Sequence, residues 1–502
     1  MSFIKTSTFQ NIVIILALFS LSMLVRLCFS SNIEAGGDAI FKWAMVRDYV
    51  ENGSLPPDWA IRSHHALRWA INIPVLIIQK IYGTEPQNYY IWPFFSSTMG
   101  VLFFYLIVKN IHSKLWGTLA AIAFLFSSPM LRQGSQFLPM GPAATYLLGS
   151  IYFLQIWINK KRLSLLILSV IFLFFSYGSK VTSIYYFPAF AILILIFSNK
   201  SDDNKITIRY FKPLIYFSLL LAIFFGTEAI LTQKLTNEPG GRLACIAMGN
   251  HGDPKRRQKR HAEKILAKDL KVATTTLGEY AGNIFVYYKL HSNEKETILL
   301  YIALLQAIAV LAIKKKELYT ISIPFLFGFF GHAYSIIGVY PFLRPEKMNF
   351  RYHTVIYTLA IIIFITFLGY LDKRQTLKVK KGAAYHIHRY YLITALALVF
   401  YSIGTIKTPK IFTNGYFTTK RNSIAITKAR EQGMPILIKL SSKENAWKKQ
   451  YRRYRSIYSP NSDYYNKSYD YKIYRKGRKK FFLVEKNGIN HFSFNIPHLT
   501  IK

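Results

Sequence analysis

The residues of this chain that could do chemistry gather in a few short stretches, and the first follows the first apolar run. It reads Glu34-Ala35-Gly36-Gly37-Asp38-Ala39-Ile40-Phe41. A carboxylate at the position of Asp38 can take the proton of a hydroxyl nucleophile if it stays ionised and within hydrogen-bond reach. The same residue suits a helix N-cap, because Gly-Gly-Asp before an apolar triplet is good capping chemistry. Glu34 either orients Asp38 or shares a cation with it. Two carboxylates without histidine at ligand spacing are a weak metal signal, so neither a metal nor another cofactor is expected.

The second stretch is His64-His65-Ala66-Leu67-Arg68. Arginine presents a planar fork of donors that matches phosphate oxygens; beside an apolar helix, basic residues also simply snorkel to the interface. Lys180 ends Tyr177-Gly178-Ser179-Lys180 at the close of an apolar run, where an ionisable residue is a candidate for function or another snorkelling cation. The stretch from Tyr340 to His353 carries Arg344, Lys347, Arg351 and His353. Arg351 is its best phosphate ligand, since it opens the next apolar run directly. No glycine-rich phosphate loop, Walker pattern or nucleophile elbow occurs, so nothing marks a nucleotide-driven pump.

Apolar helices must position these residues. The chain has 502 residues, 52% of them hydrophobic and 18% charged, against about 25% charged in an ordinary soluble protein. A hydrocarbon core needs roughly 20 apolar residues per helix. That rule places eleven spans near 11–30, 91–109, 115–130, 139–158, 163–178, 182–198, 211–232, 297–313, 319–337, 352–371 and 390–406. The expected fold is an all-α polytopic membrane protein. Trp69 to Tyr82 is apolar but short and interrupted by Pro74, which suits an interfacial or re-entrant helix.

The net charge is +40, but the basic residues punctuate apolar blocks, a pattern suited to anionic lipid head groups rather than nucleic acid. Lys109 with Lys114, Lys160 to Arg162, Lys200 with Lys205 and Arg209, Lys314 to Lys316, and Lys373 with Arg374 fall on alternate short connections. The positive-inside rule then makes the N-terminus cytoplasmic. The connections 31–90, 233–296 and 338–351, and the tail 407–502, become extracytoplasmic. The basic run His251 to His261 is a solvated face or a grip on lipid phosphate. The tail mixes short β-like runs with Tyr/Arg/Lys-rich stretches, as expected of a small α/β domain distinct from a transmembrane domain 1–406. Cys28 and Cys245 form neither a disulfide framework nor a zinc site.

The order of these features resembles the GT-C membrane glycosyltransferases, in particular the protein mannosyltransferase and lipid A aminoarabinose transferase group. Asp38, Phe41, Ala44, Val50 and Gly53 resemble that family's run after the first helix. Arg68 through Pro74 to Ile81-Tyr82-Gly83, Ser128-Pro129, Tyr177 to Thr182 and Phe350-Arg351-Tyr352 resemble later motifs. The likeness covers roughly residues 10–370. It departs in Ala39, where members often have a second acidic residue, and in Leu138-Pro139-Met140-Gly141-Pro142, where many carry an Asp.

The resemblance implies transfer of a sugar, with inversion, from a polyprenyl-phosphate carrier to a lipid, glycan or protein acceptor on the outer face of a bacterial inner membrane. Asp38 would be the general base, and Arg68, Lys180 and Arg351 would neutralise the departing phosphate. An O-antigen polymerase or ligase, a lipid-glycan flippase and a non-catalytic assembly protein are the competing expectations.

Overall fold

The computed structural model describes residues 2–33, 37–53, 65–198, 208–237, 242, 245, 294–333, 336–337, 344–345, 354–376, 381–404, 414–439, 454, 457–458, 473–476, 479–485 and 493–501. In chain order the helices are α1 (Ser2–Cys28), α2 (Gly37–Asn52), α3 (Trp69–Tyr82), α4 (Ile91–Ile111), α5 (Lys114–Leu125), α6 (Ser128–Gln133), α7 (Met140–Lys160) and α8 (Leu163–Ser179). They continue with α9 (Tyr186–Ser198), α10 (Ile208–Thr236), α11 (Glu294–Ala312), α12 (Lys316–Ala333), α13 (Thr354–Thr376), α14 (Lys381–Gly404) and α15 (Gly415–Glu431). The segments marked by hydropathy are largely helical, but 115–130 is divided between α5 and α6, and 319–337 runs past the end of α12 to Ile336–Ile337. Among the described residues five stretches are long and apolar enough to cross a membrane: Thr8–Cys28, Pro86–Ile111, Val181–Ser198, Phe211–Thr236 and Thr354–Gln375.

Burial ranks them. The apolar windows of α4 and α13 are 72% and 78% buried, so these two stand at the centre, while α1 at 22% and α10 at 11% line the edge. Small residues set the closest crossings, as expected where lipid offers no hydrophobic drive between helices. Ser150 and Ser169 each donate to the other's carbonyl, at 2.7 and 2.9 Å, across α7 and α8. A Cβ at Gly149 would lie 2.4 Å from the Phe172 ring.

α3 exposes a stripe of Ile73, Ile77 and Ile81 and buries Ala70, Ile71, Val75 and Gln79. A short helix with an apolar stripe left outward suits a membrane interface. α2 packs on its inner side, where Gln79 Nε2 donates to the Trp43 carbonyl at 3.2 Å.

The C-terminal segment folds as α15 and a four-stranded sheet, β3 (Ile436–Lys439), β4 (Ile473–Lys476), β5 (Lys479–Glu485) and β6 (Leu499–Ile501), in the order β4-β5-β3-β6. It follows a two-stranded ribbon, β1 (Ile336–Ile337) and β2 (Arg344–Pro345). β3 pairs antiparallel with β5 and parallel with β6. Alternation along β3 sends Leu437 to one face, with Phe481 and Leu483, and Ile436 and Ile438 to the other. That second face shares one apolar cluster with Ile40, Trp43 and Val46 of α2 and Ile71 and Val75 of α3. The tail is therefore seated on the connection that follows α1. Gly415 N–H donates to Ser30 O at 2.9 Å, and a Cβ at Gly415 would meet Ser31 O at 2.3 Å.

Candidate functional site

α2 begins at Gly37, so Asp38 occupies the first turn rather than the cap. The exposed backbone N–H groups and dipole of a helix N-terminus favour negative charge there. Asp38 is half-buried. One turn on, at i+3 and i+4, Phe41 and Lys42 share its face of the helix. Phe41 meets the His65 ring edge-on, with centroids 5.5 Å apart. Lys42 is wholly buried and donates from Nζ to Phe137 O at 2.8 Å.

Asn72 fixes the turn that His65 opens: its Nδ2 donates to the carbonyls of His65 at 3.0 Å and Ala66 at 2.8 Å. Arg68 closes the turn as the residue before α3, its carbonyl receiving the N–H groups of Ile71 and Asn72, both at 3.0 Å. Arg68 is buried.

Lys180 is the extended residue between α8 and a 3₁₀ turn, Val181–Tyr185. Ser176 bridges it, donating to Ala143 O and hydrogen-bonding Ser183 Oγ, both at 2.8 Å. Lys180 is buried too. Gly178 brings these two basic segments together: a Cβ there would lie 2.4 Å from Cζ2 of Trp69, the residue after Arg68. Two of the sequence-marked cations thus come from turns packed at the same helix ends, with α2 against the nearer turn.

An open apolar groove of about 370 Å³ lies between the 3₁₀ turn and α12, lined by Ile184, Tyr185, Pro188, Leu326, Phe327 and Phe330; its first lining residue, Ile184, follows Lys180 by four positions in the chain. A smaller cleft of about 140 Å³ lies where the tail meets α2, among Arg47, Glu51, Glu85, Ser423, Arg430 and Tyr458. Arg47 and Arg430 donate to the adjacent carbonyls of Ile457 at 3.2 Å and Tyr458 at 2.6 Å. Burial depresses the Arg47 pKa, opposed by the charges of Asp48 and Glu51.

Glu34, His64, Lys347, Arg351 and His353 lie outside the described residues, as does the run from His251 to His261; Arg344 is described only as backbone in β2. Cys28 and Cys245 are not joined in a disulfide. Sequence reasoning missed Glu228 of α10, buried and accepting from the Trp69 indole N–H at 2.6 Å. It also missed Arg26 of α1, which is buried, donates to Met130 O at 3.0 Å and packs on Gly134. A charge inside an apolar run was the available signal for both.

No protein-family model and no curated protein matches the sequence. Among solved structures, the chain is similar to the Archaeoglobus fulgidus oligosaccharyltransferase AglB, solved with an inhibitory peptide and a dolichol-phosphate. The TM-score is 0.50 at 10% identity, over 93% of this chain and 62% of that one. The apo form of the A. fulgidus enzyme gives 0.49 at 11% identity, over 92% and 62%. The arabinosyltransferase EmbB of Mycobacterium smegmatis gives 0.38 at 11%, over 83% and 41%. The AglB likeness shows the fold alone, and it is the fold expected from the resemblance to the GT-C membrane glycosyltransferases. With five helices long and apolar enough to cross, the chain is a multi-pass membrane protein. It spans 62% of the length of AglB.

Proposed function

We propose that this chain is an inverting glycosyltransferase that moves a sugar from a polyprenyl-phosphate carrier to a hydroxyl acceptor. The observation that supports the reading is the packing of Trp69 on Gly178, which joins the turns that carry buried Arg68 and Lys180. Buried cations at the ends of apolar helices suit an isoprenoid phosphate: cations for the head, hydrocarbon for the chain.

Asp38 takes the acceptor's hydroxyl proton as the acceptor oxygen attacks the anomeric carbon. The bond from that carbon to the phosphate oxygen breaks, and the polyprenyl phosphate leaves with the electron pair. A single displacement from the far face inverts the centre. Arg68 and Lys180 neutralise the charge that grows on the leaving phosphate, a task for cations already in place. Arg351 completes this set by resemblance, with Glu34, His64, His65, Arg344 and Lys347 as further substrate contacts. The short basic connections support a cytoplasmic N-terminus, with the Asp38 loop and the tail on the outer face of a bacterial inner membrane. The acceptor is a lipid, glycan or protein. AglB was solved with a dolichol-phosphate, a lipid-phosphate of the donor class proposed here.

The test is release of polyprenyl phosphate from a radiolabelled polyprenyl-phosphate sugar, with crude envelope as acceptor, by wild type and Asp38→Asn in detergent. Turnover by wild type and a loss of at least about a hundredfold in the variant, the size expected of a general base, supports the reading. Equal turnover in both removes Asp38 from the chemistry.

A further inference from the structure

Glu228 has no part in the displacement just described, yet a carboxylate on a membrane-edge helix needs a reason. α10 is the least buried of the five long apolar helices, with 11% of its window covered, and it presents Leu219, Ile223, Ile230 and Leu231 outward. Among its described charged side chains, Glu228 is the one that turns inward, 8% exposed, while Lys212 and Lys234 face out. Burying a charge at this depth is costly, and a buried ion pair adds little stability over apolar residues of the same size. Stability therefore does not account for it; placement does.

One oxygen does the placing. Glu228 Oε1 accepts from Trp69 Nε1 at 2.6 Å and from Arg242 Nη1 at 3.2 Å. The Arg242 guanidinium stacks over the Tyr177 ring at 5.0 Å from its centroid. Three separate segments converge on this pair. Trp69 adjoins Arg68, Tyr177 lies in the turn that ends at Lys180, and Arg242 follows α10. Arg242 is 2% exposed. Its Nη1 is committed to Glu228, while Nε has no hydrogen-bond partner. A guanidinium carries five N–H donors, so Arg242 retains donors for an anion at this junction.

We propose that Arg242 is a third cation for the carrier's phosphate and that Glu228 is its positioning residue, fixing Arg242 and the Arg68 turn in one arrangement. The inference rests on the lipid-phosphate reading above and assigns that site a ligand from the connection 233–296. Glu228 itself touches no substrate.

The experiment compares binding of C55 polyprenyl phosphate and the corresponding C55 polyprenol to the full chain in detergent. The ratio of the two affinities isolates recognition of the phosphate from loss of fold or of the apolar groove. Wild type prefers the phosphate. Arg242→Gln and Glu228→Gln each lower that preference roughly tenfold or more, the scale of a lost charged hydrogen bond, and leave polyprenol binding unchanged. The double variant, Glu228→Gln with Arg242→Gln, leaves no lone buried charge and keeps the test open if a single variant misfolds; it too loses the preference. Three results overturn the proposal. If the variants weaken both ligands equally, the pair is structural only. If wild type discriminates and Arg68→Gln abolishes this while both single variants and the double variant retain it, the proposal falls and the lipid-phosphate reading survives. If wild type itself binds phosphate and alcohol alike, both fall.

Discussion

Gly178→Ala should damage the candidate site more than any other single methyl group added to the chain. The new Cβ would lie 2.4, 2.6 and 2.8 Å from Cζ2, Cε2 and Cη2 of Trp69. Carbon atoms rest at about 3.5–4.0 Å, so the indole must retreat by roughly 1 Å. It has little freedom to do so. Phe174 and Phe175 hold the ring, with centroids at 5.1 and 5.3 Å, and its N–H is bound to Glu228 Oε1. Overpacking of this kind costs about 1–3 kcal/mol. If the indole gives up its bond, the lost hydrogen bond to a charged group adds about 1.5–3 kcal/mol. Thermal unfolding in detergent should register the loss, and polyprenyl phosphate release should fall with it because Arg68 moves with Trp69. Trp69→Phe, which removes the six-membered ring the methyl strikes, should then make the double variant less destabilised than the sum of the two singles. Strict additivity, or a Gly178→Ala protein with unchanged melting and turnover, would refute the argument that this contact joins the two basic turns.

Three further outcomes follow from the packing. Gly415→Ala should undock the tail, since its Cβ would meet backbone at Ser31 O, 2.3 Å away; limited proteolysis should release a C-terminal fragment from the variant and not from wild type. Lys42→Met should cost about 1–3 kcal/mol, the scale of a buried carbonyl left without its donor, read as a lower melting temperature. His112, in the turn after α4, has its pKa held below the usual 6.5 chiefly by burial, partly offset by its 2.7 Å contact with Thr366 O. The unfolded chain therefore takes up this proton more readily than the folded one. Stability is present above pH 6.5 and declines as pH falls below it; His112→Gln should flatten that decline in melting scans from pH 7.5 to 5.5.

Hydropathy made most helices legible because a membrane-spanning stretch announces itself by its apolar length, but it did not show that 115–130 divides into α5 and α6. Arg68 and Lys180 were legible as cations at the ends of apolar runs. What brings them together was not: a glycine's lack of Cβ and a tryptophan on another helix meet only in three dimensions. Asp38 read equally as a cap, because sequence does not say whether a helix starts one residue earlier; it starts at Gly37. Glu228 and Arg26 sat in plain view inside apolar runs, and the same rule that marked Lys180 applied to them. The seat of the tail was hidden for a different reason. β3 reads as a short apolar strand, and nothing local tells whether the partner of its second face lies within the tail or in the connection after the first helix.

That seat has a consequence for how the protein is made. Ser30 and Tyr416 are joined through a hydrogen bond spanning 386 positions, and the apolar cluster beneath α2 is finished only by α15, β3 and β6. At a synthesis rate of about 5–20 residues per second, the Asp38 connection waits some 20–80 s for its cover. During that interval Ile40, Trp43 and Val46 lack their final neighbours. Newly made chains should therefore pass through a stage in which the helices are formed while the face around Asp38 is open to holdase chaperones and proteases. The cover acts as a completion signal: the face around Asp38 matures only when α15, β3 and β6 arrive.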